Sequence, residues 1–291
     1  MSEFYLTALQ LSLCLGAMSM GIFISMKIFN IPDITTDGSY TLGATVTAVL
    51  LMHHWPVFAV LPVSMMAGAL AGVCTGLVHT KLKIDALLAG ILVMTGLYSI
   101  NLIILGRSNV PLINIPTIFS YFSFFKTDIY NQLIVGIGVV IILILLLTYL
   151  LKTDFGIAMR ATGNSATMTK ALGINNDRMK IIGLAIANSL TALSGFFVAQ
   201  YQNFTDINMG IGIVITGLGS VLIADALRIW FNITNIGAQI ILVVAGSFVF
   251  QMVLAVTLAL GVDPNLLKLV TAVFVLIIVA LPRVSSSLKR S

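Results

Sequence analysis

Few side chains in this sequence are spaced for covalent chemistry. His53 and His54 are adjacent beside Trp55, and His79 stands alone. None has carboxylates at metal-ligand spacing, so anchoring at a polar–apolar boundary explains them better than a metal centre. Cys14 and Cys74 lie inside apolar runs and read as small hydrophobes rather than a disulfide or a metal pair. No phosphate-binding loop of the form G-x-x-x-x-G-K followed by Ser or Thr occurs, so nucleotide hydrolysis is not expected of this chain. The expectation is a protein that is not an enzyme and that has no cofactor and no metal.

The polar chemistry that remains is hydrogen bonding within apolar surroundings. Tyr40, Thr41, Asn101, Asn188, Ser189 and Gln251 fall inside apolar stretches and are the candidates for contact with a permeating solute. Bonding between helices is the more ordinary use of each. The ten acidic residues are Glu3, Asp33, Asp37, Asp85, Asp128, Asp154, Asp177, Asp206, Asp225 and Asp263, and all fall at the ends of these stretches or between them. Proton coupling usually needs a carboxylate within the membrane. Their placement argues against it, while sodium sites built from backbone carbonyls stay open. Asp225 precedes Arg228 by one turn, close enough to pair with it.

A polar island, Asp154 to Lys180, interrupts the apolar chain and carries Arg160, Lys170, Arg178 and Lys180 with Lys152 beside it. Asn164 or Ser165 suits a helix N-cap, because a short side-chain oxygen accepts from a free N–H of the first turn. Met168, Ala171 and Leu172 then recur at i, i+3 and i+4 as one apolar stripe. Gly173 suits the left-handed residue that ends a helix. So short a helix is unstable alone in water and must be held by its own protein or by a partner. An interfacial helix lying on lipid is the competing reading.

The elements that position these residues are long apolar helices. Of the 291 residues, 59% are hydrophobic and 9% charged, where soluble domains carry about a quarter charged. Residues 132–151, 181–205 and 229–262 contain no charge. A helix needs roughly 20 apolar residues to cross the hydrocarbon core. The runs are too long and too unbroken for barrel strands. The fold class is all-α, a polytopic membrane bundle of about nine spans (eight to ten). The spans are placed at 5–27, 38–54, 56–79, 84–105, 131–151, 181–202, 209–227, 236–259 and 266–282. The first is read as a retained helix rather than a signal peptide. The second and seventh are short and rich in Gly and Thr, and are expected to be broken or only partly crossing.

Lys27, Lys81, Lys83, Lys152 to Lys180, Arg228, Arg283, Lys289 and Arg290 fall on one face of that arrangement, against Arg107, Lys126 and Lys268 on the other. Basic loops favour the cytoplasm, which puts the polar island and the C-terminus inside and, by parity, the N-terminus outside. Asp33-Ile34-Thr35 and Asp206-Ile207-Asn208 each precede one of the short spans. The layout is four spans, a linker span and four more, which gives an inverted repeat. The first repeat is 1–130, the linker span and loop 131–180, and the second repeat 181–291. Gly68, Gly72 and Gly76 form a ridge of small residues on the third span, expected to serve packing inside the chain rather than a dimer face.

Gly156, Arg160, Ala161, Gly163, Ala171, Gly173 and Ile174, followed by a polar turn and a span containing Ala192-Leu193-Ser194-Gly195, carry a resemblance. The stretch resembles the cytoplasmic loop of membrane subunits of ABC importers of the branched-chain amino acid and ribose type. Pro32 to Gly43 is similar to a tryptophan/tyrosine-type subgroup of that family. The resemblance implies a permease of the bacterial inner membrane, importing an amino acid or related small solute, selected mainly by an external solute-binding protein. It also implies two copies of an ATPase subunit and a permease homodimer. The short helix would be the coupling helix, with Arg160, Asn164, Ser165, Met168, Lys170, Ala171, Leu172 and Gly173 at the ATPase. Nucleic acid is not an expected partner; membrane lipid is. The alternative is an ion-coupled secondary transporter, also built from inverted repeats.

Overall fold

The computed structural model describes residues 2–121, 128–263 and 266–288. Helix α1 (Ser2–Phe23) continues as a π-helical turn, Ile24–Ile28, and is followed by α2 (Thr35–Met52), α3 (Val57–Thr80) and α4 (Ala86–Leu105). A short strand β1 (Asn109–Pro111) precedes α5 (Asp128–Lys152). The polar island folds as α6 (Asp154–Asn164) and α7 (Ala166–Ala171). Then come α8 (Asn176–Gln202), strand β2 (Phe204–Asp206), α9 (Ile213–Trp230), α10 (Ile236–Ala259) and α11 (Leu267–Leu288).

Among the described residues seven helices are long and apolar enough to cross a membrane: α1 with its π turn, α3, α4, α5, α8, α9 and α10. Helices α2 and α11 coincide with the two other expected spans. The expected breaks in the two short spans are absent. Both α2 and α9 are unbroken helices of 18 residues, about 27 Å long. Their glycines and threonines serve packing instead. Thr41, Thr47 and Ser220 return their hydroxyl protons to carbonyls one turn back, so a polar side chain costs little in the apolar interior.

Helices α1 and α8 form the centre. Met18 and Met20 of α1 and Leu184, Ala187 and Phe196 of α8 have no measurable exposure. Helix α8 packs against α1, α2 and α3, and α1 packs against α8, α9 and α10. The ridge of small residues on α3 faces α8. A Cβ at Gly68, Gly72 or Gly76 would run into Asn188 and Ala192, Leu184, or Ile181. Close backbone approach is what holds helices together where lipid gives no hydrophobic advantage, and here that approach lies within one chain, as expected.

The ends of the bundle are chemically distinct. At one end lie the π turn, the α3–α4 link, α6, α7 and the end of α9. There Lys27 Nζ meets Asp225 Oδ2 at 2.7 Å, Arg228 Nε meets Asp225 Oδ1 at 3.0 Å, and Lys81 Nζ meets Asp177 Oδ2 at 3.2 Å. Asp225 does pair with Arg228, and it also holds Lys27 from α1. At the other end β1 pairs antiparallel with β2, with Val110 opposite Thr205. Arg283, Lys289, Arg290 and Lys126 contribute no side chain to this description, since they lie outside the residues whose side chains are described.

One expectation about charge is corrected. Asp33 and Asp37 are 4% and 8% exposed, so two of the ten carboxylates are enclosed by the bundle although neither sits in mid-helix. Each is spent on hydrogen bonds. Asp33 Oδ1 accepts from Thr35 N at 2.9 Å and Oδ2 from Asn188 Nδ2 at 2.7 Å. Asp37 accepts from Gly212 N and Val214 N, both at 2.8 Å, at the positive end of α9.

Candidate functional site

The loop between α5 and α8 is built in two parts, one anchored and one presented. Thr153 caps α6, its hydroxyl accepting from Gly156 N at 3.3 Å. A Cβ at Gly156 would meet the Leu150 carbonyl, and one at Gly163 would meet the Ile28 carbonyl. These two glycines let α6 lie directly on the ends of α5 and α1. Asn30 Nδ2 donates to Gly163 O at 3.1 Å and ties the same contact. Arg160 projects from α6, not α7. It is half-buried, and its Nε is enclosed without a hydrogen-bond partner among the described residues.

The helix expected at residues 164–173 is shorter, and of the two candidate caps it uses Ser165. Asn164 is the last residue of α6, and Ser165 is the N-cap of α7, accepting from Met168 N at 3.3 Å. Gly173 has φ of +81°, the left-handed end expected of it. Met168 is 61% and Leu172 67% exposed, and Lys170 and Ala171 are exposed beside them. The opposite side is fastened. Thr169 is buried, and its hydroxyl meets Asn176 Oδ1 at 2.7 Å, while Asn176 Nδ2 donates to Ala166 O at 2.6 Å. Asn30 escapes a reading of the sequence because its partner lies 133 positions away, and Thr169 and Asn176, though only seven apart, because no local pattern pairs them.

The six polar residues expected along a solute path separate into three settings. Thr41 and Asn101 line a cavity of ≈ 290 Å³ between α2, α4 and residues 207–211. Tyr40 and Gln251 line a second of ≈ 420 Å³ among α1, α2, α8, α9 and α10. Asn188 and Ser189 line neither. Asn188 instead joins a buried network, accepting from Ser39 Oγ at 2.6 Å and donating to Asp33, while Thr35 and Thr75 share a hydroxyl contact of 2.7 Å.

A family model described as "branched-chain amino acid transport system / permease component" matches residues 4–280. The chain belongs to this permease family. It is 40% identical over 281 residues to the tyrosine transport system permease protein of Clostridioides difficile, covering 96% of this chain and 92% of that one. It is 26% identical over 197 residues to the ribose import permease protein RbsC of Haemophilus influenzae, covering 66% and 59%. Among solved structures, an ABC transporter of metal-chelate type in an inward-facing conformation aligns with a TM-score of 0.49 and 13% identity, covering 93% of this chain and 81% of that one.

The matched range includes Gly156 to Ile174, the stretch that carried the resemblance. As a permease subunit the chain is not an enzyme, and a partner performs ATP hydrolysis. Its long apolar helices make it a multi-pass protein of the inner membrane. The end of the bundle that carries α7 gathers Lys27, Lys81, Lys152, Lys170, Arg178, Lys180 and Arg228, the charge pattern of a cytoplasmic face.

Proposed function

We propose that this permease is the membrane subunit of an ATP-driven importer and that α7 is the helix through which a separate ATPase drives it. The observation that carries the reading is the asymmetry of α7. Met168, Ala171 and Leu172 are exposed on one side, and Thr169 on the other is fastened to Asn176 at the start of α8. An apolar groove on the ATPase would take the first side in the helix-in-groove manner. Lys170 sits at the rim, and Arg160 stands one helix back, half-buried on α6. A push on α7 reaches α8 through Asn176 and α1 through the Gly163–Asn30 contact.

The cargo in this reading is an amino acid or related small solute, as in the tyrosine transport relative. An external solute-binding protein delivers it, and two permease copies with two ATPase copies make the complex, all set in membrane lipid. Residues 1–130 and 181–291 act as two inverted halves joined by 131–180. Three local repeats support the halves. Asp33 and Asp206 both accept from the N–H two residues on, at 2.9 and 2.8 Å. Asn30 and Asn203 follow α1 and α8 with φ of +54° and +57°, and His54 and Asn232 follow α2 and α9 with +58° and +52°. Tyr40, Thr41, Asn101, Asn188, Ser189 and Gln251 stand along or beside the path.

The test is co-purification of the chain with its P-loop ATPase and ATP-dependent uptake in vesicles. Charge reversal at Arg160 and Lys170 together with Met168→Asp is expected to abolish both. Unchanged association and uptake in that variant contradict the docking role, and sodium-driven uptake by this chain alone contradicts the ATP-driven reading.

A further inference from the structure

The ≈ 290 Å³ cavity between α2, α4 and residues 207–211 has a polar wall made of acceptors. Thr41 Oγ1 donates its proton to Asp37 O at 3.1 Å and Thr95 Oγ1 to Ile91 O at 2.8 Å, so both hydroxyls offer only lone pairs. The Asp37 carboxylate, already bonded to Gly212 N and Val214 N, has further lone pairs. Asn101 is 1% exposed, and its Nδ2 donates to Gly38 O at 3.2 Å. Turning the amide over would set oxygen against oxygen, so the Gly38 carbonyl fixes its orientation. That leaves Asn101 Oδ1 as a buried acceptor without a partner on a cavity wall, a costly state in an apolar interior. Besides Gly38 and Gly210, the rest of the lining is apolar or aromatic: Met94, Ile207, Ile211 and the ring of Tyr98.

We propose that this cavity is a binding site for a solute that carries a primary ammonium on a compact apolar or aromatic body. An ammonium brings three donors and no acceptor, the complement of a wall formed by Asn101 Oδ1, the two threonine hydroxyls and the Asp37 carboxylate. The apolar body lies against Met94 and Ile211. Tyr98, 45% exposed, also lines the cavity, and its hydroxyl has a proton to give, suited to the carboxylate of a zwitterionic solute. The proposal rests on the chain being a solute permease and adds which group of the solute its membrane part reads.

The experiment measures calorimetric binding of L-tyrosine, tyramine and 3-(4-hydroxyphenyl)propionate to the full chain in lipid nanodiscs without ATPase. The two amines are expected to bind and the amine-free acid to bind at least about tenfold more weakly. Thr95→Val, on the exposed side of α4, and Asn101→Leu are each expected to weaken both amines by about tenfold. Tyr98→Phe should weaken tyrosine and leave tyramine unchanged. Equal binding of the amine-free acid overturns the proposal, as does the absence of binding by any of the three, or unchanged binding by Thr95→Val, which keeps the test alive if Asn101→Leu fails to fold. ATP-driven uptake separates this from the importer reading. If uptake is absent while the binding pattern holds, the importer reading falls and the site stands. If uptake persists when Met94→Trp fills the cavity, the site falls and the importer stands.

Discussion

Thr169 and Asn176 make the most specific demand at the scale of single residues. Their hydroxyl–amide contact of 2.7 Å and the 2.6 Å bond from Asn176 to Ala166 O are side-chain ties between α7 and the first turn of α8. Thr169→Val keeps the shape and removes the hydroxyl. The expected result in the reconstituted complex is unchanged association with the ATPase and continued ATP hydrolysis, with uptake per ATP lowered several-fold. Met168→Asp and Leu172→Asp act on the opposite side of α7. Each forfeits the burial of a large apolar side chain, about 1.5–3 kcal/mol, and adds a charge that must be desolvated. ATPase affinity is therefore expected to fall by tenfold or more in a titration of one subunit with the other. The outer side of α7 was legible in the sequence, since Ser165, Met168, Ala171, Leu172 and Gly173 are a cap, a stripe and a stop at local spacing. The inner side was not, because nothing local distinguishes Thr169 from Thr167.

Between elements, the α3–α8 seam is where small changes cost most. Gly72 has the Leu184 carbonyl where a side chain would begin, and backbone cannot give way as a flexible side chain can. Gly72→Val is expected to lower the melting temperature of the detergent-solubilised chain by several degrees. The same substitution at Gly96, with open space where a side chain would stand, is expected to change it far less. Helix existence was legible from apolar length, and the four-residue spacing of Gly68, Gly72 and Gly76 announced a close seam. Its partner, α8, could not be read, because tertiary pairing over more than a hundred positions leaves no local trace. The β1–β2 pairing was equally hidden, since Asn109–Pro111 and Phe204–Asp206 are each three residues long. The burial of Asp37 escaped notice for the same reason: a carboxylate in a first turn looks like a cap for its own helix, and here it serves the start of α9, 175 positions away from Asp37 at Gly212.

Across the whole molecule, the two ends of the bundle predict opposite accessibility. With native Cys74 replaced by Ser, a cysteine at Thr167 is expected to react with an impermeant maleimide only from the cytoplasmic side, and one at Asn114 only from outside. Labelling of both from the same side contradicts the orientation. Helices α1 and α8 meet at the centre, α8 packing also against α2 and α3 and α1 also against α9 and α10, so in this account force passed from α7 to α8 and α1 reaches helices of both proposed halves. The central claim is that force enters there. It is tested most directly by a photo-crosslinking side chain placed at Met168 or Leu172, with Ile103 of α4, 80% exposed, as the control position. The account predicts adducts with the ATPase subunit from positions 168 and 172 and none from 103. Absence of adducts from both α7 positions, or equal adducts from 103, would contradict it.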